Sequence, residues 1–343
     1  MYMNSCSVII RCYNEEEHVG RLLAGIMEQT IADQTEIVVV DSGSTDATVS
    51  IASSFPTNIV QISPEEFSFG RALNIGCDAA SGDVLVFASA HVYPVYEDWL
   101  ERMVAPFSDP EVALVYGKQR GNEVTKYSEH KIFEKWFPDT STWDQSHPFS
   151  NNANAAVRRS VWEELPYNEE LTGLEDLDWA KRARERGYKI VYESDAEIIH
   201  VHDESWESIM NRYRREAIAL KRIFPQEQFR FWDFLRLYTA NVFSDLYHAW
   251  HDGVLLSNLR DIFLFRLMQF WGTYRGFSHS GPVGSKLRNR FYYPNEMNRS
   301  EEEDSGKDER EIEYDTVQEE WENHLSTPVT SSTNDRHQEP MTS

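Results

Sequence analysis

Four short apolar runs, each followed by helical spacing or turn chemistry, constrain this chain more than any other feature. They occupy residues 7–10, 36–40, 58–62 and 83–87, and the second is almost wholly β-branched. A strand that is apolar at nearly every position is covered on both faces, as in parallel sheets flanked by helices. Between the runs, residues 16–29 place Val19, Leu22, Leu23, Ile26 and Met27 on one helical face, and 67–80 read as another helix. Ser44, Thr45 and Asp46 offer cap chemistry for a helix after the second strand. This β-α-β-α-β-α-β order predicts an α/β fold with a doubly wound, mostly parallel sheet. Ligands of such sheets bind beyond the carboxyl ends of the strands. Arg11, Asp41, Ser89 and His91 all stand just past predicted strand ends.

Further along the texture changes. A strand is expected at 112–117, then a loop rich in Trp, Pro and Asn, a helix at 174–186 closed by Gly187, and a strand at 189–192. Residues 224–293 hold 18 of the chain's 44 aromatics, interleaved with Arg and Lys, with helices expected at 231–250 and 262–277. These pack entirely on the catalytic domain or lay an apolar face in a lipid headgroup region, where Arg275, Lys286, Arg288 and Arg290 would meet phosphates. The predicted division is a catalytic domain at 1–205, an aromatic helical and membrane-associating region at 206–295, and an acidic disordered tail at 296–343.

The net charge of −24 argues against a nucleic-acid partner, which needs a basic footprint. Residues 296–343 hold 15 acids and 4 bases, contributing −11, so −13 remains for the body. With only 9 lysines, this acidic surface suits a salt-saturated haloarchaeal cytoplasm, an ordinary acidic protein being the alternative. No apolar run reaches the ~18 residues of a spanning helix. Nor does a signal peptide precede the first strand, so a cytoplasmic location is expected. Cys6, Cys12 and Cys77 lack metal-type spacing and read as buried free thiols.

Six blocks in order, "SVIIRCYNEEEHV", "EIVVVDSGSTDATV", "FGRALNIGCDAASGDVLVFASAHVYP", "NAAVRRSVWEEL", "GLEDLDWAKRARERGY" and "AEIIHVHDES", resemble the inverting family-2 glycosyltransferases of the GT-A fold, with residues 5–225 covered. Within that family the chain is similar to transferases that extend lipid-linked oligosaccharides, haloarchaeal ones among them. The resemblance implies a UDP-sugar donor (a dTDP-sugar as second choice), a polyisoprenyl-phosphate-linked saccharide as acceptor, and peripheral membrane contact. A non-catalytic nucleotide-sugar-binding scaffold is the rival. A sugar nucleotidyltransferase is disfavoured because "RCYNEEEH" lacks a glycine-rich phosphate loop.

Site roles follow from the same resemblance. Asp41 would accept from the base's N3–H, or else serve as a helix-capping aspartate beside Gly43. Arg11, Tyr13, Asn14 and Glu15 would wrap the nucleoside, although Arg11 replaces a proline usual in many members. Arg71 and Asn74 share a helix face and would reach the base or phosphates, a surface salt bridge being the alternative for Arg71. Ser89 and His91 stand where the family carries Asp-x-Asp, so Ser89 would bond the ribose and His91 a divalent cation, Mn²⁺ or Mg²⁺. His200, with His202 on the same strand face, would supply the other ligand; metal-free catalysis is the alternative. Asp176 would be the general base, with Glu175 orienting the acceptor. Asn151, Asn152 and Asn154 would bond sugar hydroxyls or merely form turns, and Arg158 or Arg120 would pair with a uronic acid donor.

Overall fold

The apolar runs fold as neighbouring strands of one sheet in a computed structural model that describes residues 5–281. In chain order the elements are β1 (Cys6–Cys12), α1 (Val19–Met27), β2 (Thr35–Asp41), α2 (Thr48–Ala52), β3 (Thr57–Gln61), α3 (Phe69–Ala79), β4 (Val84–Ser89) and β5 (Val92–Pro94). They continue as α4 (Trp99–Val104), β6 (Val112–Arg120), α5 (Tyr127–Trp136), β7 (Asn154–Arg158), α6 (Arg159–Glu164), α7 (Glu175–Glu185), β8 (Lys189–His200), α8 (Trp206–Ile223), α9 (Phe231–His251) and α10 (Leu255–Phe277). The sheet order is β3-β2-β1-β4-β7-β6-β8-β5. Strands β1 to β4 are mutually parallel, as are β6 and β8, whereas β7 and β5 run antiparallel to their neighbours. This is the expected doubly wound, mostly parallel sheet, with C-terminal helices appended.

Alternation in β1 divides the core. Val8 and Ile10 face a cluster with Leu22, Leu23 and Trp99; Ile9 faces the opposite one with Leu73, Phe87 and Trp179. Burial on both sides makes the parallel pairing specific, because a one-residue slip would move every side chain to the wrong layer. The buried Asn154 then fixes the antiparallel half. Its amide donates to Lys118 O at 3.0 Å and Ala196 O at 2.8 Å, while its carbonyl oxygen accepts from Trp99 Nε1 at 2.9 Å. With every polar atom occupied by the scaffold, Asn154 has nothing left for a sugar.

Of the three residues expected to cap α2, only Asp46 meets its first turn. Asp46 accepts from Thr48 N–H at 3.0 Å, whereas Ser44 and Thr45 bind the loop after β1. Cys6, Cys12 and Cys77 are buried free thiols, as expected.

The C-terminal hairpin sits on α8. Gly272 and Gly276, one turn apart on α10, let the helices touch: a Cβ at these positions would lie 2.4 Å from Met210 O and 2.5 Å from Ala217 Cβ. A buried ion pair joins α10 to α9, with Arg266 Nε donating to Asp245 Oδ2 at 2.7 Å and Nη2 to Oδ1 at 2.9 Å. Ser128 of α5 donates to the same Asp245, and its carbonyl accepts from Arg266. Packing on the body is therefore one-sided. The outer face exposes Trp232 (75%), Phe243 (71%), Trp250 (71%) and Leu256 (90%). Among the described residues no helix is long and apolar enough to cross a membrane. Lys286, Arg288, Arg290 and the tail at 296–343 lie outside the described residues.

Candidate active site

A cavity of about 420 Å³ opens where the carboxyl ends of β1, β4 and β8 meet α7 and α8. Arg11, Tyr13, Asn14, Glu15, Ser89, His91, Glu175, Asp176, His200 and His202 line it together, uniting ten of the expected site residues. The two non-glycine residues with positive φ among those described, Asn14 (53°) and Leu174 (55°), also lie on this wall. Such conformations persist only where surrounding structure enforces them, and they concentrate at functional sites. Asn14 is held by Ser44 and Thr45: its N–H donates to Ser44 Oγ at 2.9 Å, and its Oδ1 accepts from Thr45 N–H at 2.8 Å. Leu174 immediately precedes Glu175 and Asp176, so it sets the angle at which α7 presents them.

Strand register brings the distant histidines together. Val92 pairs with His200, and Val201 N–H donates to His91 O at 3.1 Å. The His91 and His200 rings stack at 5.2 Å, and His200 and His202 lie edge to face at 4.0 Å. One ligand atom from each falls within 4.8 Å of the other two. Every Nδ1 is tied to a side-chain oxygen: His91 to Glu15 at 2.9 Å, His200 to Gln119 at 2.9 Å and His202 to Glu129 at 2.7 Å. Nε2 is thus the ligating atom available on each ring, and an oxygen behind Nδ1 is the usual backing for a metal-bound imidazole. Burial pulls His200 well below the ordinary histidine pKa, and its two histidine neighbours add to this. Burial also opposes charge on His91, but the Glu15 carboxylate outweighs it and raises the pKa. The three rings fit a divalent cation by donor type and convergence.

Across the cavity stand the carboxylates. Asp176 Oδ2 accepts from Asn152 N–H at 3.2 Å and Oδ1 from Leu177 N–H at 2.7 Å. Burial, then the neighbouring Glu175 charge, raises its pKa to about 7. Glu175 Oε1 accepts from Arg11 Nη1 at 3.2 Å. The Arg11 and Arg215 guanidiniums lie 5.0 and 4.6 Å from the Phe69 ring centroid, placing positive charge beside an otherwise acidic wall. Of the three asparagines, Asn151 bonds its own turn through Ala153 N–H, whereas the Asn152 amide nitrogen is buried at the cavity without a partner.

Other expected residues are placed elsewhere. Asp41 is buried outside the cavity lining, and its carboxylate accepts from Gly43 N–H at 3.2 Å and Ser44 N–H at 3.2 Å. Asn74 is consumed by Tyr167, Trp162 and Glu169, and Arg71 pairs with Glu169 at 3.4 Å; neither lines the cavity. Arg158 donates to the carbonyls of Phe107, Asp109 and Val112. Because β7 is antiparallel to β4, Arg158 pairs with Val84 at the edge remote from the cavity and has no access to a donor carboxylate there. Arg120 pairs with Glu197 at 3.0 Å. Sequence reasoning missed Phe69, Glu129, Arg212, Arg215 and Glu216. The last three recur at i, i+3 and i+4 on α8, a helical-face signal that was readable.

Comparison with known proteins fits this geometry. The family model described as Glycosyl transferase family 2 matches residues 7–165. The O-antigen chain rhamnosyltransferase RfbN of Salmonella typhimurium is 31% identical over 219 residues, covering 60% of this chain and 69% of that protein. Glycosyltransferase AglE of Haloferax volcanii is 30% identical over 238 residues, covering 64% and 77%. The solved mannosyltransferase PcManGT from Pyrobaculum calidifontis, in complex with GDP-Man and Mn²⁺, superposes with a TM-score of 0.54 at 21% identity, covering 86% of this chain and 89% of that one. These findings define a glycosyltransferase of the GT-A fold. The chain belongs to glycosyl transferase family 2.

Proposed function

We propose that this protein is an inverting glycosyltransferase that moves a sugar from a UDP-sugar to a hydroxyl of a polyisoprenyl-phosphate-linked saccharide at the cytoplasmic membrane face. One observation carries the reading: three convergent imidazoles and Asp176 share one cavity at the carboxyl edge of the sheet. Arg11, Tyr13, Asn14 and Glu15 hold the nucleoside, and Asp41 shapes that loop through the turn it bonds at Gly43 and Ser44. His91, His200 and His202 hold the cation, for which imidazole favours Mn²⁺ over Mg²⁺. When bound, such an ion neutralises charge developing on the departing diphosphate. Two solved relatives in fold, PcManGT and GalNAc-T7, carry Mn²⁺. Asp176 takes the acceptor hydroxyl's proton as that oxygen bonds the anomeric carbon opposite the leaving diphosphate. The buried Asn152 amide has a free N–H with which to bond a sugar oxygen.

A lipid-linked acceptor calls for membrane contact, and the outer face of α9 and α10 supports it. Residues 231–277 contain as many Arg as Asp, and neither Lys nor Glu, in a chain of net charge −24. That neutral aromatic face is where an acidic protein approaches an anionic surface at least cost. A dTDP-rhamnose donor is the second reading, favoured by the 31% and 30% identities to the O-antigen chain rhamnosyltransferases RfbN and WbaN.

The test incubates the protein with UDP-sugars or dTDP-rhamnose and a lipid-linked saccharide, with and without EDTA. Free UDP and an extended acceptor that vanish with EDTA are expected. Release of dTDP instead moves the assignment to the second reading, and nucleotide binding without any release sinks both.

A further inference from the structure

We infer that Glu129, on α5, is a positioning residue that acts through His202; the inference rests on the reading that the histidine cluster holds a cation. Glu129 is buried, 2% exposed, and Oε1 accepts from His202 Nδ1 at 2.7 Å and from Arg212 Nη2 at 2.5 Å. Taking a carboxylate out of water costs several kcal/mol unless its partners are well placed. The bond from Oε1 to His202 Nδ1 leaves Nε2 directed at His200 Nε2, 3.0 Å away. Turned over, the same ring would direct Nδ1 into the cluster and lose this hydrogen bond.

The mount behind Glu129 is rigid. Its neighbour Ser128 donates to Asp245 at 2.6 Å and accepts, at its carbonyl, from Arg266 at 3.3 Å. Buried bonds therefore run from the α9–α10 hairpin through α5 to the histidine cluster. On the other side the Phe133 ring lies 5.5 Å from His202 and 6.1 Å from His200, restricting both rings. Glu129 also groups with His202 and Glu204 as a conceivable ligand set. Arg212 argues against that use, since its guanidinium contacts both carboxylates at 2.5 Å and already supplies the positive charge. Glu129 backs a ligand and is not one.

The test titrates the full chain with Mn²⁺ alone, following loss of the free-ion electron paramagnetic resonance signal. Wild type is expected to bind. Glu129→Gln weakens binding about 10- to 100-fold: the amide still offers an oxygen, but the negative charge that makes the His202 ring a stronger ligand is gone. In a His202→Ala background the same change has no further effect, because Glu129 acts only through that ring. Glu129→Asp keeps the charge opposite Arg212 while withdrawing the carboxylate from His202; it is expected to fold and to weaken Mn²⁺ likewise. If wild type binds and either folded variant binds within twofold of it, or if the Glu129→Gln loss is additive with His202→Ala, the role of Glu129 is overturned. If wild type takes up no Mn²⁺, the cation reading falls and this inference with it.

Discussion

His200 and His202 meet Nε2 to Nε2 at 3.0 Å, where β8 ends and the chain turns toward α8. Both Nε2 atoms face the position that a shared cation would take. His200 is the more buried ring and is fixed by Gln119, so under the proposed cation reading its Nε2 is a ligand already in place. Replacement by alanine is therefore expected to reduce Mn²⁺-supported turnover by about 100-fold or more, since a cation at the leaving group supplies several kcal/mol. His91→Ala should act in the same direction. Initial rates across a Mn²⁺ series check this, and an unchanged metal dependence in either variant removes these rings from the site.

Asp176 gives a pH dependence with a definite sign. Burial and Glu175 raise its pKa to about 7, so the ionised base form develops as pH rises through that value. The ratio kcat/KM should climb from pH 6 to 8 with an apparent pKa of about 7. Stability moves the other way, because a carboxyl whose folded pKa is raised contributes stability below its unfolded value and loses it as pH rises through the folded one. Asp176→Asn should thus cost about 100-fold or more in kcat while melting higher than wild type at pH 8 and no higher at pH 4. A variant within a few fold of wild-type turnover would end the base assignment.

The sequence exposes what repeats locally and hides what depends on distant partners. The runs at 7–10 and 36–40 revealed β1 and β2 because burial on both faces forces continuous apolar residues. β5 and β7 escaped: one has three residues, and the other, "NAAVR", has too little alternation to stand out. His91 and His200 were paired only through the family resemblance, since their adjacency depends on the Val92–His200 register. Asp41 shows the opposite difficulty: its position at a strand end is legible, but not that Gly43 and Ser44 N–H groups occupy the carboxylate. Glu129 carries no local signal of its place, because Arg212 and His202, which make its burial tolerable, come from far along the chain.

The Asp245–Arg266 pair holds the hairpin to α5, and both side chains are buried. Removing one partner leaves a buried charge without compensation, so Asp245→Ala should cost about 3–5 kcal/mol. Replacing both, as Asp245→Leu with Arg266→Met, should recover most of that loss. Urea midpoints for Asp245→Ala and the double variant decide the matter. Equal destabilisation by the double variant would show that the pair is not the fastening.

The outer face of α9 and α10 gives the last prediction. Phe243 and Trp250 are 71% exposed and lie seven residues apart, on one side of α9. Full burial of a large apolar side chain contributes about 1.5–3 kcal/mol. Phe243→Ser with Trp250→Ser should therefore weaken association with phospholipid vesicles by at least about 10-fold. Neither side chain touches the cavity, so melting temperature and transfer to a soluble acceptor analogue should stay at wild-type values. Because the segment is balanced in Arg and Asp, raising salt should alter vesicle binding much less than the double substitution does. Flotation assays across salt concentrations separate the effects: binding abolished by salt but untouched by the serines would transfer the contact to another surface.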